Sequence, residues 1–335
     1  MILSVLRAAL ILALLAATPL SSAAEPSPDD VRALGAWSLE VSQHTSMAVE
    51  LMGDANTLID LVHSYESGTI TVAEARSEMA DWRTRVEANL NGYSARAEQL
   101  AEGPGFESPE FSPMVRSMAA APLNALSAVR AYVAQMESFA TASFNGENPD
   151  LTLIDIARFA VLQAYYEGLA TANEATRASI ESGHPQHHLL AMTVTNARSV
   201  TLLFELGRLN LGAAPGEHGE EQIVALLAAN NAAVQTRADR ARTTLRQMMS
   251  TIDSASPEQL GLTPAQMTAL RAMLSTYPAS IEAEETMAEL LSRAQDYVDV
   301  AGEGVLWPAY IDQVTAVELT RDDLQMQRQR LAASF

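Results

Sequence analysis

Three of the six histidines in this chain, His184, His187 and His188, stand within one short stretch. Imidazoles this close together can bind a transition metal. Glu181 precedes His184 by three positions, which is the Glu-x-x-His spacing of carboxylate-bridged diiron bundles. That motif works inside a continuous helix, whereas Gly183 and Pro185 interrupt this one. On a helix the adjacent His187 and His188 also point in different directions. His184, His187 and His188 therefore stand as candidate metal ligands, weighed against a polar turn between two helices. The turn accounts for more of the residues: Pro185 puts His184 at a helix cap and His187 in the first turn. There the positive end of the helix dipole disfavours imidazolium, so the side chains are expected to be neutral at pH 7.

The comparable spacing Asp60-Leu61-Val62-His63 does not complete a diiron site. In an up-down-up-down unit it falls at the opposite pole, on the order of 45 Å away at 1.5 Å per residue. His44, about halfway along the same segment, does not bridge that distance. The chain has no Gly-x-Ser-x-Gly, no His-Glu-x-x-His and no glycine-rich nucleotide loop. Its 14 methionines lack a dense Met-x-x-Met run and read as flexible core filler rather than copper ligands. No catalytic residue and no cofactor is implied.

Composition narrows the chemistry further. The chain has no cysteine, which excludes a lipoprotein anchor, disulfides, thiolate metal sites, iron–sulfur clusters and cysteine nucleophiles. It also has no lysine, since all 21 basic residues are arginine. That removes Schiff-base chemistry, a Walker-type phosphate loop and Ser-Lys catalysis. A formal charge of -20 makes nucleic acid and anionic membrane surfaces poor partners. The acidic face Glu282, Glu284, Glu285 and Glu289 and the basic face Arg237, Arg240, Arg242 and Arg246 read first as solvated helix stripes. The sharper alternative is that they pair across neighbouring helices.

The elements that must position these residues are all helices. Apolar content of 48% is dominated by Ala and Leu, and strand-like alternation and hairpin turns are scarce. The expected fold is all-α, a long-helix bundle. Helix starts are expected at Pro28, Thr71, Pro113, Pro149, Pro185, Glu220, Pro264 and Pro308, with Thr71 to Glu74 reading as a capping box. Pro122 is expected to bend the third helix and Pro278 to break the seventh, which resumes from Glu282 to Val300. The eight starts fall into two groups of four at similar spacing, which suggests two tandem four-helix units, 25–183 and 184–335. The segments on either side of the histidine turn carry almost no charge and are expected to be the most buried.

Residues 1–24 have the layout of a secretory signal peptide. An apolar run from Ile2 to Ala17 carries only Arg7, and small residues lead to a cleavage point after Ala24. The alternative is an uncleaved anchor, which the shortness of the run disfavours. The expected location is periplasmic or secreted, with no membrane insertion after cleavage. The expected function is a non-enzymatic helical binding or structural protein of the cell envelope, with a protein or small-molecule partner and homo-oligomerisation left open. The alternative is a sensor-like bundle that binds a small molecule or metal, with a pocket near Tyr165, Tyr166 and Trp307.

Overall fold

The computed structural model describes residues 28–105, 112–178, 180, 183–214, 216–293 and 306–334. The signal segment, the loop 106–111, Glu181 and the expected helix end at Val300 lie outside the described residues. Within them the chain is all-α, with no strand. The helices are α1 (Pro28–Glu66), α2 (Val72–Ala101), α3 (Ser112–Phe144), α4 (Thr152–Ala178), α5 (Pro185–Asn210), α6 (Glu220–Ser254), α7 (Pro257–Leu260), α8 (Pro264–Ser292) and α9 (Leu306–Ala333).

Local chemistry sets the starts. The Thr71 hydroxyl accepts from the Glu74 backbone N–H while the Glu74 carboxylate accepts from the Thr71 N–H, so two otherwise orphaned donors are answered. Thr263 and Gln266 do the same for α8, and Ser256 and Gln259 for the single turn α7. The fourth helix begins at Thr152, slightly later than Pro149 suggests, because the Asp150 carboxylate accepts from the Thr152 N–H at 2.9 Å.

Pro278 does not break α8, which runs unbroken to Ser292. A proline removes one ladder bond and crowds the carbonyl four residues back, at a cost of about 3 kcal/mol. Here Tyr277 and Ile281 on either side are buried and hold the helix against its neighbours. The third helix likewise runs continuously through Pro122.

One apolar core joins α1, α2, α3 and α4, through Leu58, Val62, Trp82, Val86, Val129, Met136 and Val161. Another joins α5, α6, α7, α8 and α9, through Met192, Ala238, Leu245, Leu260, Leu270, Ile281 and Leu324. Two tandem four-helix units are compatible with this arrangement. By backbone proximity one compact unit is Ala33–Ala172 with Val200–Glu220; the other draws on Asn173–Ser199 and the chain from Glu221 onward. Both α4 and α5 thus give residues to each unit.

In the first unit Trp37 donates to the Leu100 carbonyl and His44 to that of Tyr93, each at 3.0 Å, so rising numbers on α1 meet falling numbers on α2 and the two are antiparallel. Arg83 with Glu137 and Arg76 with Asn145 set α2 antiparallel to α3 in the same way. In the second, Gln266 bonds the Ser334 carbonyl and Ser280 that of Thr320, making α8 and α9 antiparallel. Gln186 with Tyr277 and Thr193 with Glu284 set α5 parallel to α8.

Two glycines test how tight the first unit is. A Cβ on Gly168 would lie 2.7 Å from Thr45 Cγ2 and 3.5 Å from Ala121 Cβ. Thr45 cannot turn away cheaply, being β-branched, buried and bonded through Oγ1 to the Val41 carbonyl. A Cβ on Gly92 would meet nothing within 4 Å. Replacing a helical glycine by alanine gains about 1 kcal/mol of helix propensity, and overpacking costs about 1–3 kcal/mol. Gly92→Ala is expected to stabilise by about 0.5–1 kcal/mol. Gly168→Ala is expected to destabilise by about 1–2 kcal/mol net. Urea denaturation of the two variants checks the opposite signs.

Candidate functional site

The histidine turn lies between the end of α4 at Ala178 and the start of α5 at Pro185. His184 Nδ1 accepts from the Gln186 backbone N–H at 3.1 Å, and its carbonyl accepts from the His187 N–H at 3.0 Å. His184 thus caps α5, its ring nitrogen taking the place of the usual hydroxyl. Burial pushes its pKa down to about 4, and electrostatic interaction with Arg328, His187 and His188 adds to that.

His187 is held at both ring nitrogens. An arginine can only donate, so Nε2 accepts from Arg177 Nη1 at 3.1 Å and Nδ1–H donates to the Ile180 carbonyl at 3.1 Å. His188 is buried, with its ring at 89° to that of His187 and 5.7 Å away. Its pKa is lowered, first by burial and then by His187, Arg237 and Arg240. The chain therefore brings the three histidines into one turn but commits two of them to backbone and Arg177. Among the described residues, no three His, Cys, Asp or Glu side chains form a group that could hold a metal ion.

His63 is exposed, and His44 is buried flat against the Tyr93 ring at 3.9 Å. Tyr165 and Tyr166 meet edge to face at 4.9 Å, and Tyr166 lies 6.0 Å from Phe204. They belong to a packed aromatic group; the side chain of Trp307 lies outside the described residues.

Of the two charged stripes, Arg242 pairs with Glu285 from α6 to α8. Glu284 departs from the solvated reading: it is 4% exposed. Its carboxylate accepts from the Thr193 hydroxyl at 2.5 Å and from Asn196 Nδ2 at 2.7 Å, with Arg321 Nη2 at 3.4 Å. A buried carboxylate needs such partners to remain in the core.

A concave feature of the first unit lies elsewhere, where α1, α3 and the start of α4 meet. It is a cavity of about 420 Å³, within the size range of small-molecule sites. Ile59, Leu151 and Ile154 supply apolar wall; Asn56, Asp60, Tyr132, Asp155 and Arg158 supply polar atoms. The Tyr132 hydroxyl donates to Asn56 Oδ1. Burial pushes its pKa up to about 12, with Asp155 adding and Arg158 opposing, so the phenol stays neutral. Asp155 and Arg158 pair at 3.0 Å, one turn apart. These groups can hold and orient a small molecule.

Sequence reasoning singled out Asp60 for a different role and passed over the others. Two signals were present: Asn56 interrupts the apolar face of α1 between Ala55 and Leu58, and Asp155 and Arg158 stand three apart in an otherwise charge-poor segment. Neither indicates which helices would bring them together. Compared with protein-family models, with curated proteins and with solved structures, the chain matches none.

Proposed function

We propose that this protein is an exported, non-enzymatic helical binding protein of the cell envelope, and that it binds a small molecule in the cavity between α1, α3 and α4. The observation that carries the binding role is that cavity, about 420 Å³ with convergent polar groups on an apolar wall. Gly53 supports the reading: it lines the cavity in the middle of α1, where glycine costs about 1 kcal/mol relative to alanine. A Cβ there would meet nothing within 4 Å, so packing does not demand the glycine.

Export rests on the layout of residues 1–24. No helix among the described residues is long and apolar enough to cross a membrane. Mass spectrometry of the mature protein is expected to find Glu25 at its N-terminus; an intact Met1 in the membrane fraction would favour an uncleaved anchor instead. For binding, native mass spectrometry of freshly purified protein is expected to find a small-molecule adduct that Gly53→Trp removes, with circular dichroism confirming that the variant folds. An adduct of unchanged abundance in the variant would place binding elsewhere.

A further inference from the structure

The charges around the cavity favour one ligand class over others. Arg158 and Asp155 neutralise each other at 3.0 Å, so neither presents a full charge to a guest. At the start of α4 the Thr152 N–H is likewise answered from within, by the Asp150 carboxylate at 2.9 Å. That takes up one helix-terminus donor and sets a carboxylate at the helix start, both of which disfavour an anion there. Asp60 remains on the cavity wall, on the exposed side of α1. The wall therefore carries two carboxylates and one guanidinium, an excess of one negative charge.

Of the three neutral polar groups, Tyr132 and Thr57 fit the same guest, while Asn56 keeps its amide N–H donors. Tyr132 spends its proton on Asn56 Oδ1, which leaves the phenol oxygen as an acceptor toward the cavity. Thr57 spends its proton on the Asp54 carbonyl at 2.7 Å and is likewise left an acceptor. Acceptors and a carboxylate call for a donor-rich cation, and an ammonium group offers three N–H donors and no acceptor. Ile59, Leu151 and Ile154 call for an apolar remainder, with Leu151 57% exposed at the wall. At about 30 Å³ per water molecule, the space holds the equivalent of roughly 14 waters, ample for a compact organic amine.

We infer that the cavity binds a small primary amine with an apolar body, the ammonium lying toward Asp60, Thr57 and Tyr132 and the hydrocarbon against Ile59, Leu151 and Ile154. The inference rests on the cavity being a binding site, and it adds the sign of the charge the site selects.

Three isosteric probes test it on the whole mature protein by calorimetric titration: hexylamine, 1-hexanol and hexanoate. The amine is expected to bind about tenfold tighter than the alcohol, the difference between a charge-assisted and a neutral hydrogen bond, and hexanoate weakest. Asp60→Asn is expected to weaken hexylamine about fivefold while leaving hexanol unchanged, as suits a partly exposed pair. Gly53→Trp is expected to abolish binding of hexylamine and hexanol alike. If hexanol or hexanoate binds as tightly as the amine and Gly53→Trp still blocks it, the cavity binds ligands but the amine inference fails. If Asp60→Asn leaves hexylamine affinity unchanged, the inference also fails. If Gly53→Trp leaves hexylamine binding intact, or no probe binds the wild type, both the inference and the cavity reading fail.

Discussion

Glu284→Ala is expected to destabilise the second unit by about 2–4 kcal/mol, from an orphaned buried donor and the hole left in the core. Several losses combine. The buried Thr193 hydroxyl is left with the longer bond to the Leu189 carbonyl at 3.3 Å, and the buried Asn196 amide keeps the Glu284 backbone carbonyl at 2.8 Å but loses the acceptor of its second N–H; one orphaned donor costs about 1–3 kcal/mol. Arg321 loses the carboxylate at 3.4 Å, and a hole opens beside Met287 and Ala288 in a closely packed helix. Glu284→Gln keeps a carbonyl acceptor and is expected to cost about half as much.

The comparison that assigns the cause is a triple variant, Thr193→Val/Asn196→Leu/Glu284→Leu. If the penalty comes from orphaned polar groups, the triple variant should recover most of the stability lost by Glu284→Ala, because an apolar replacement of a buried network is often neutral. Urea denaturation with a shared slope gives both numbers. A Glu284→Ala cost below about 1 kcal/mol would mean that water answers the orphaned groups. The network also fixes register. Thr193 and Asn196 set the height of α5 against α8 at the carboxylate, and a shift of one turn would strand it in apolar surroundings.

Acidification is expected to cost about 3 kcal/mol through His184 alone, from the gap between its ordinary value of 6.5 and about 4 in the fold. The folded pKa lies below the unfolded one, so between these values the unfolded chain binds more protons than the folded one. Stability from this group is therefore complete above pH 6.5 and is lost as pH falls from 6.5 toward 4. The physical cause is the cap. Protonating Nδ1 removes the acceptor for the Gln186 N–H at 3.1 Å and puts a positive charge at a helix start, beside Arg328.

His44 and His188 are also depressed, chiefly by burial, and add acid sensitivity in the same direction. His184→Asn separates the contributions, since asparagine caps a helix well and does not titrate in this range. The variant is expected to match wild type near pH 7 and to exceed its stability increasingly toward pH 4.5. Parallel stability curves for the two proteins across that window would remove His184 as the cause.

The amino-acid sequence by itself determined where helices begin, because those signals act within a few residues. Thr71 finds Glu74 three positions on, Thr263 finds Gln266, and Pro185 opens α5 behind His184. The low charge of α5 correctly indicated burial over most of its circumference. Helical spacing puts Leu51, Ala55, Leu58 and Val62 on one face of α1, and all four are core residues.

The tertiary structure alone decided the rest. Glu284 looked like one of four glutamates on a solvated stripe, and only the placement of Thr193 and Asn196, about 90 positions away, gives it a reason to be buried. Pro278 looked like a break, yet the lost ladder bond and crowded carbonyl weigh less than the burial of Tyr277 and Ile281. The cavity draws Gly53, Asn56 and Asp60 from α1, Tyr132 from α3, and Asp155 and Arg158 from α4. Periodicity tells which side of a helix turns inward, but not which neighbour it meets or at what height. A site assembled from three helices depends on both, and packing of the whole core sets them.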